Sequence, residues 1–117
     1  MPYTIHQFAT LPSTNGYVKE NAAILSHGDV VVAQTQTEGR GRQGRKWVSG
    51  PGGLYFTICL KPPGMAFLAN MTQLLCLAIC RAVKGTGVKT ELKWPNDVLV
   101  RGTFLRVTRA GRLVARP

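Results

Sequence analysis

The chain has 117 residues and a formal net charge of +10, room for one small domain that buries roughly two thirds of its unfolded surface. Arg101, Arg106, Arg109, Arg112 and Arg116 stand in the last 17 residues with no acid among them, leaving ten Lys and Arg against five Asp and Glu elsewhere, so charge alone argues weakly for nucleic-acid binding. Cys59, Cys76 and Cys80 include no C-x-x-C pair and have no histidine at ligand spacing, which supports neither a disulfide framework nor a zinc site and suits a reducing cytoplasm.

The N-terminus lacks the basic start and apolar core of a signal peptide. Residues 3–8 have strand composition, and Leu11-Pro12-Ser13-Thr14-Asn15 supplies a turn and three possible helix caps. Val18, Ala22 and Leu25 at helical spacing predict a short amphipathic helix closed near Gly28. Residues 29–34 form a compact β-branched run, the next expected strand.

Gly39-Arg40-Gly41-Arg42-Gln43-Gly44-Arg45-Lys46-Trp47 follows, packing four cations and three glycines into nine residues. Exposed backbone N–H groups and guanidinium forks there can converge on a phosphate-bearing ligand. Glycine entropy and like-charge repulsion predict that the loop is mobile alone and orders on an anion.

Residues 54–60 read as a buried strand ended by Lys61-Pro62-Pro63-Gly64. The run 66–83 contains Asn70, Thr72, Gln73 and Arg81, falls short of the ~20 apolar residues that span a bilayer, and is expected to be a core helix. Phe67, Met71, Leu74, Ala78 and Ala82 trace one stripe, widened by Leu68, Leu75, Ile79 and Val83. Residues 89–93 and 97–100 look like strands around a Trp94-Pro95-Asn96 corner. The acid-free stretch 103–117 shows no clear period and is read as a basic tail of aberrant composition.

Gly39, Gly41 and Gly44 match G-x-G-x-x-G, but Arg45 to Gly53 cannot open the helix that a dinucleotide fingerprint needs. No Gly-Lys-Ser or Gly-Lys-Thr supports a Walker A loop. Ser13-Thr14-Asn15 is either a plain helix cap or a set of groups for a small polar head. Trp47 and Trp94 are core or edge aromatics by default, Cys76 and Cys80 read as packing residues on one helix face, and His6 and His27 are isolated. The composition of the Arg and Gly loop also fits a solvated basic loop or an RNA-binding tract.

Taken in order, Ser13-Thr14-Asn15, a strand ending in Gln34, GRGRQGRKW at 39–47, GGLYF at 52–56 and KWPNDVLV at 93–100 resemble the catalytic domain of the biotin protein ligases, within the biotin and lipoate ligase superfamily, over about residues 8–102. The resemblance implies an α+β fold, helices on a mixed β-sheet of the class II aminoacyl-tRNA synthetase and biotin synthetase-like kind, here incomplete. It implies a cytoplasmic, ATP- and Mg2+-dependent ligase that forms biotinyl-5'-AMP and passes biotin to a lysine of a biotin carboxyl carrier domain. By the same resemblance Ser13, Thr14, Asn15, Gln34, Gly39 and Arg40 bind biotin. Arg42, Arg45, Trp47, Lys93, Asn96 and Asp97 bind ATP, Asp97 meets the magnesium, and Arg40, Arg42 and Lys93 serve catalysis.

Where the family has a lysine about ten residues past KWPND, this chain reads Arg101 to Val107, and no lysine follows Lys93. We therefore expect a partial catalytic domain at 1–102, truncated or frameshifted, poorly active, and leaving the 97–100 strand short of sheet partners. No helix-turn-helix precedes the domain, so a DNA-binding role is not expected, nor is a membrane partner. The alternatives are lipoate or octanoyl transfer on the related fold, a basic nucleic-acid-binding module, and an inert fragment.

Overall fold

The computed structural model describes residues 3–41, 44–62, 70–93, 97–100 and 103–107. These divide into two compact units, the first within residues 1–63 and the second within 64–111.

The first unit is built on three strands and a short helix: β1 (Ile5–Leu11), α1 (Thr14–Glu20), β2 (Val30–Gln36) and β3 (Tyr55–Ile58). The sheet is mixed, with β2 in the middle, β1 parallel to it and β3 antiparallel. The parallel pair runs from Ile5 opposite Val30 to Leu11 opposite Gln36, and α1 provides the crossover that parallel neighbours require. β3 covers only the first half of β2, from Ile58 opposite Val30 to Tyr55 opposite Ala33. Beyond Ala33, β2 is left for the Arg and Gly loop to pair with.

The first strand starts and ends later than its composition suggested, running from Ile5 to Leu11. The Asp29 carboxylate accepts from the backbone N–H of Thr4 and of Ser26, each at 3.0 Å, and meets His6 Nε2 at 3.2 Å. Asp29 was expected to open the second strand; instead it staples the start of β1 to the turn before β2, and β2 begins at Val30. Hydrogen bonds from the Ser26 and Thr4 amides hold this carboxyl below its ordinary value, more than burial raises it, and His6 lowers it further.

α1 is capped as expected: Ser13, with extended backbone, accepts from Gly16 N at 3.1 Å. It ends earlier than the stripe implied, at Asn21, whose backbone and side-chain N–H groups both donate to the Tyr17 carbonyl. A further turn follows, Leu25 N donating to Asn21 O at 3.0 Å, so Leu25 still reaches the core although it is outside the helix. Gly28 has φ 91°, the left-handed conformation that a turn into β2 needs. The core comprises Leu11, Leu25, Val31, Ala33 and Cys59, with Phe8, Tyr17 and Val18 against it. The Phe8 and Tyr17 rings stand 4.8 Å apart at 51°, joining β1 to α1. Burying a Val or Leu side chain fully is worth about 1.5 to 3 kcal/mol, enough to hold a seven-residue helix that would not form alone. Burial also raises the Cys59 thiol, which suits a packing residue.

The second unit contains α2 (Met71–Lys84) and the antiparallel meander β4 (Thr90–Lys93), β5 (Asp97–Val100) and β6 (Thr103–Val107). α2 packs on β4 and β5. Its covered face differs from the expected stripe: Cys76 is buried at 3%, with Gln73, Ile79, Cys80 and Val83 half-buried along the same face. Leu74 is 58% exposed, and Ala78 and Ala82 are exposed too. The reading of Cys76 and Cys80 as packing residues matches this arrangement.

The tail also corrects an expectation. Val107 and Thr103 pair with Val98 and Val100, so β5 has a neighbour on each side rather than an unpaired edge. Phe67 and Leu68 fall outside the described residues. No described helix is long and apolar enough to cross a membrane.

Candidate functional site

The Arg and Gly loop is a paired ribbon along its stem. Trp47 N donates to Gly39 O at 2.8 Å, Arg40 is the bridge partner of Lys46, and Gly41 N donates to Arg45 O at 2.6 Å. The chain returns from Gly44, at φ 73°, straight along this ribbon and opens no helix there, consistent with rejecting the dinucleotide fingerprint. Arg40, Arg45 and Lys46 are exposed, and two of them stand directly opposite each other. Like charges across a ladder repel, and an anion between them relieves that cost. Trp47 is half-buried, and a Cβ on Gly41 would lie 3.8 Å from its Cε3, so the indole lies against the ribbon.

The ribbon is anchored on the edge of β2 that β3 leaves uncovered beyond Ala33. Gln36 N donates to Ser49 O at 3.0 Å, and the Gln36 carboxamide Nε2 donates to Ser49 Oγ, also at 3.0 Å. The other end of that carboxamide accepts from Thr14 N at 2.8 Å, satisfying a backbone group at the start of α1 that has no helical partner. Thr14 Oγ1 meets Thr57 Oγ1 of β3 at 2.8 Å. Thr37 N donates to Leu11 O and Glu38 N to Pro12 O, so the entry to the ribbon runs beside the β1–α1 connection. Two hydrogen-bonded arms therefore meet at Gln36: the start of α1 and the base of the cationic ribbon.

Close approach explains two of the glycines. A Cβ on Gly39 would stand 2.5 Å from both Ser49 Oγ and the Trp47 carbonyl oxygen. At Gly53 a Cβ would collide with the Tyr55 ring, whose hydroxyl reaches back to donate to Gly50 O at 2.7 Å.

Of the residues singled out from sequence, Ser13, Thr14, Gly39 and Arg40 fall in this one region. Asn15 lies half-buried in the first turn of α1. Gln34 is exposed, and its position after buried Ala33 in an alternating strand puts it on the face opposite Val31 and Ala33. Gln36, two residues on, makes the contact with Thr14. Gln36, Ser49 and Thr57 were not singled out. The Gln-Thr-Gln end of the β-branched run gave no signal for Gln36, whose bonds to Thr14 and Ser49 appear only in the fold. Arg42, Trp94 and Asn96 lie outside the described residues, as do the side chains of Lys93 and Asp97. The backbone pairing of β4 with β5 sets Lys93 opposite Asp97. Among the described residues no group of three His, Cys, Asp or Glu could hold a metal.

The first unit is thus a mixed sheet with a glycine-arginine ribbon anchored beside the start of a helix. The chain belongs to the biotin/lipoate A/B protein ligase family, whose model matches residues 7–111. It is similar to the biotin--[acetyl-CoA-carboxylase] ligase of Paracoccus denitrificans, 38% identical over 98 residues, covering 80% of this chain and 41% of that one. The bifunctional ligase/repressor BirA of Bacillus subtilis is 41% identical over 80 residues, covering 64% of this chain and 24% of that one. Among solved structures, the biotin protein ligase of Aquifex aeolicus in complex with biotin and ATP is 40% identical with a TM-score of 0.73, over 81% of this chain and 40% of that one. The biotin acetyl coenzyme A carboxylase synthetase of Helicobacter pylori, with bound biotinylated ATP, is 29% identical with a TM-score of 0.75, over 86% and 51%. The chain thus spans between a quarter and half of the length of these relatives.

Proposed function

We propose that this chain carries the biotin- and ATP-binding front portion of a cytoplasmic biotin protein ligase. That ligase forms biotinyl-5'-AMP and transfers biotin to a lysine of a biotin carboxyl carrier domain. The observation that carries this reading is the joining, through Gln36, of the polar start of α1 to the base of the Arg40 and Lys46 ribbon. A ligand with a polar head and a carboxylate tail fits such a pair of arms, and the relatives with biotin and ATP bound support the choice.

In the first step a biotin carboxylate oxygen attacks the α-phosphorus of ATP and the bond to pyrophosphate breaks. The reactants are both anions, so the main barrier is charge. Arg40, Arg42 and Arg45 neutralise it and hold the groups in line, while Gly39 and Gly41 let the backbone approach. In the second step the carrier lysine amine attacks the acyl carbon, loses a proton, and AMP leaves with the bonding pair. Ser13, Thr14, Asn15 and Gln34 are the sequence candidates for the polar head of biotin, and Gln36, two residues along the same face of β2, is a further one. Trp47 would lie near the adenine. Lys93, Asn96 and Asp97 are the sequence candidates for the phosphates and for Mg2+, which would draw charge from the leaving pyrophosphate.

Isothermal titration of the chain with biotin, then with biotin plus MgATP, tests this. Heat with biotin, and tighter retention once both are present, is the expected result. Heat with lipoate and none with biotin would move the chain to lipoate or octanoyl transfer. Salt-dependent RNA binding with neither ligand would make it a basic nucleic-acid module.

A further inference from the structure

We propose that Ser49 is a positioning residue that fixes which way the Gln36 carboxamide faces, and so which hydrogen-bonding groups it presents to the polar head of the ligand. The inference rests on the reading of the site given above. It follows from the chemistry of the two partners at either end. The Thr14 backbone N–H can only donate, so the Gln36 atom 2.8 Å from it is Oε1. The Trp47 carbonyl can only accept, so the Ser49 hydroxyl, 3.2 Å away, donates its single proton there. Ser49 Oγ therefore has only acceptor capacity left for Gln36, and Nε2 faces it at 3.0 Å. Both ends independently select the same orientation, which at a glutamine is otherwise ambiguous.

Reversing the amide would set Nε2 against the Thr14 N–H and Oε1 against a hydroxyl already committed to Trp47. Ser49 is only 4% exposed, so water has little access to repair that mismatch. After the bonds described, Gln36 keeps one Nε2 proton and one Oε1 lone pair, a donor and an acceptor side by side. A cyclic urea or amide offers the complementary pair. The relay also carries the ribbon's state into the polar end of the site, because Ser49 is tied to the Trp47 carbonyl at the ribbon's return arm. Gly39 protects the relay: a Cβ there would lie 2.5 Å from Ser49 Oγ and 3.1 Å from Gln36 Nε2.

The test is nitrogen-15 NMR of the glutamine side chains of this chain, with biotin titrations in parallel. In the wild type the two Gln36 amide protons should be well separated in shift and slow to exchange. Ser49→Ala should collapse that signature and weaken biotin binding about tenfold, the loss of one hydrogen bond at a buried amide. Ser49→Thr keeps the hydroxyl and should restore both. Gly39→Ala removes no polar group but obstructs the relay, and should reproduce the amide change, which keeps the question open to experiment if Ser49→Ala folds poorly. Degenerate, fast-exchanging Gln36 protons in the wild type would overturn the relay. An unaltered biotin affinity in Ser49→Ala, with the amide signature lost, would overturn its role toward the ligand. A wild-type chain with an ordered Gln36 amide that binds no biotin would instead count against the reading of the site itself.

Discussion

Gly39 and Ser49 approach so closely that a side chain on the first would stand 2.5 Å from the hydroxyl oxygen of the second, with the Trp47 carbonyl at the same distance. One of these neighbours is backbone, held by its own hydrogen bonds, and cannot swing aside. Gly39→Ala is therefore expected to destabilise the chain by about 1 to 3 kcal/mol, as overpacking generally does. Gly50→Ala is the control, since a Cβ there meets nothing within 4 Å. Urea denaturation of the two variants should separate them, and equal midpoints would show that the ribbon stem yields.

The contact between Thr14 Oγ1 and Thr57 Oγ1 joins the start of α1 to β3, and Thr14 is 4% exposed. Thr14→Val leaves the Thr57 hydroxyl without this partner and should cost about 1 to 3 kcal/mol. Thr57→Val should cost a similar amount. Replacing both removes the polar pair altogether, so the double variant should fall short of the sum, a coupling that a double-mutant cycle reads directly. Strict additivity would mean that the two hydroxyls act independently.

On α2 the covered and open faces predict opposite sensitivities. Cys76→Ser buries a stronger polar group in a site with 3% exposure and should destabilise by about 1 to 3 kcal/mol, whereas Leu74→Ser, at 58% exposure, should stay within about 0.5 kcal/mol. Thermal melts of the two variants check this, and a larger loss at Leu74 would restore the stripe drawn from the sequence.

That contrast indicates what the sequence could and could not disclose. Helical spacing identified α2 itself, but an apolar run with few polar interruptions leaves the phase of its buried face undetermined, and the strands it packs on decided for Cys76 and Val83 over Leu74. β-branched residues located β2, yet Gln34-Thr35-Gln36 carries no apolar alternation, so the strand was read as ending two residues early and Gln36 went unnoticed. Glycine entropy and like-charge repulsion predict a mobile loop; the pairing of its stem through Ser49 and Gln36 is visible only in three dimensions. β6 went unread because the arginine-rich composition of the whole stretch hid a five-residue strand that only pairing with β5 defines. The family-defining strings, by contrast, were legible at once, since close approach leaves no room for a side chain at Gly39 or Gly53.

Arg40 and Lys46 stand opposite each other in the ribbon, an arrangement that an anionic ligand relieves. Arg40→Ala is expected to weaken retention of biotin plus MgATP by about 10- to 100-fold, the loss of a charge-assisted hydrogen bond. Lys19→Ala, at the exposed end of α1, should change it less than twofold by comparison with other surface charges. Titration at two salt concentrations provides the check, because a contact to the ligand's charge weakens as salt rises. A variant indistinguishable from wild type at both would make Arg40 a surface charge only.

Asp29 sets the acid limit of the first unit. Its carboxylate accepts from the Ser26 and Thr4 amides and from His6, contacts that favour the charged form and depress its pKa below the ordinary 3.8. A depressed carboxylate contributes stability that is fully present above its unfolded value and is lost as the pH falls through its folded value. Asp29→Asn keeps the shape but removes the charge and sets an NH2 against one of the donors, so it should be less stable than wild type across neutral pH by a nearly constant amount. Below the ordinary 3.8 that advantage is lost progressively as the pH falls towards the depressed folded value, so the gap between the two stability curves should narrow there. Urea midpoints for both proteins from pH 7 down to pH 3 measure this. A gap that persists unchanged into acid would assign the loss in Asp29→Asn to packing rather than to the charged staple between β1 and the turn before β2.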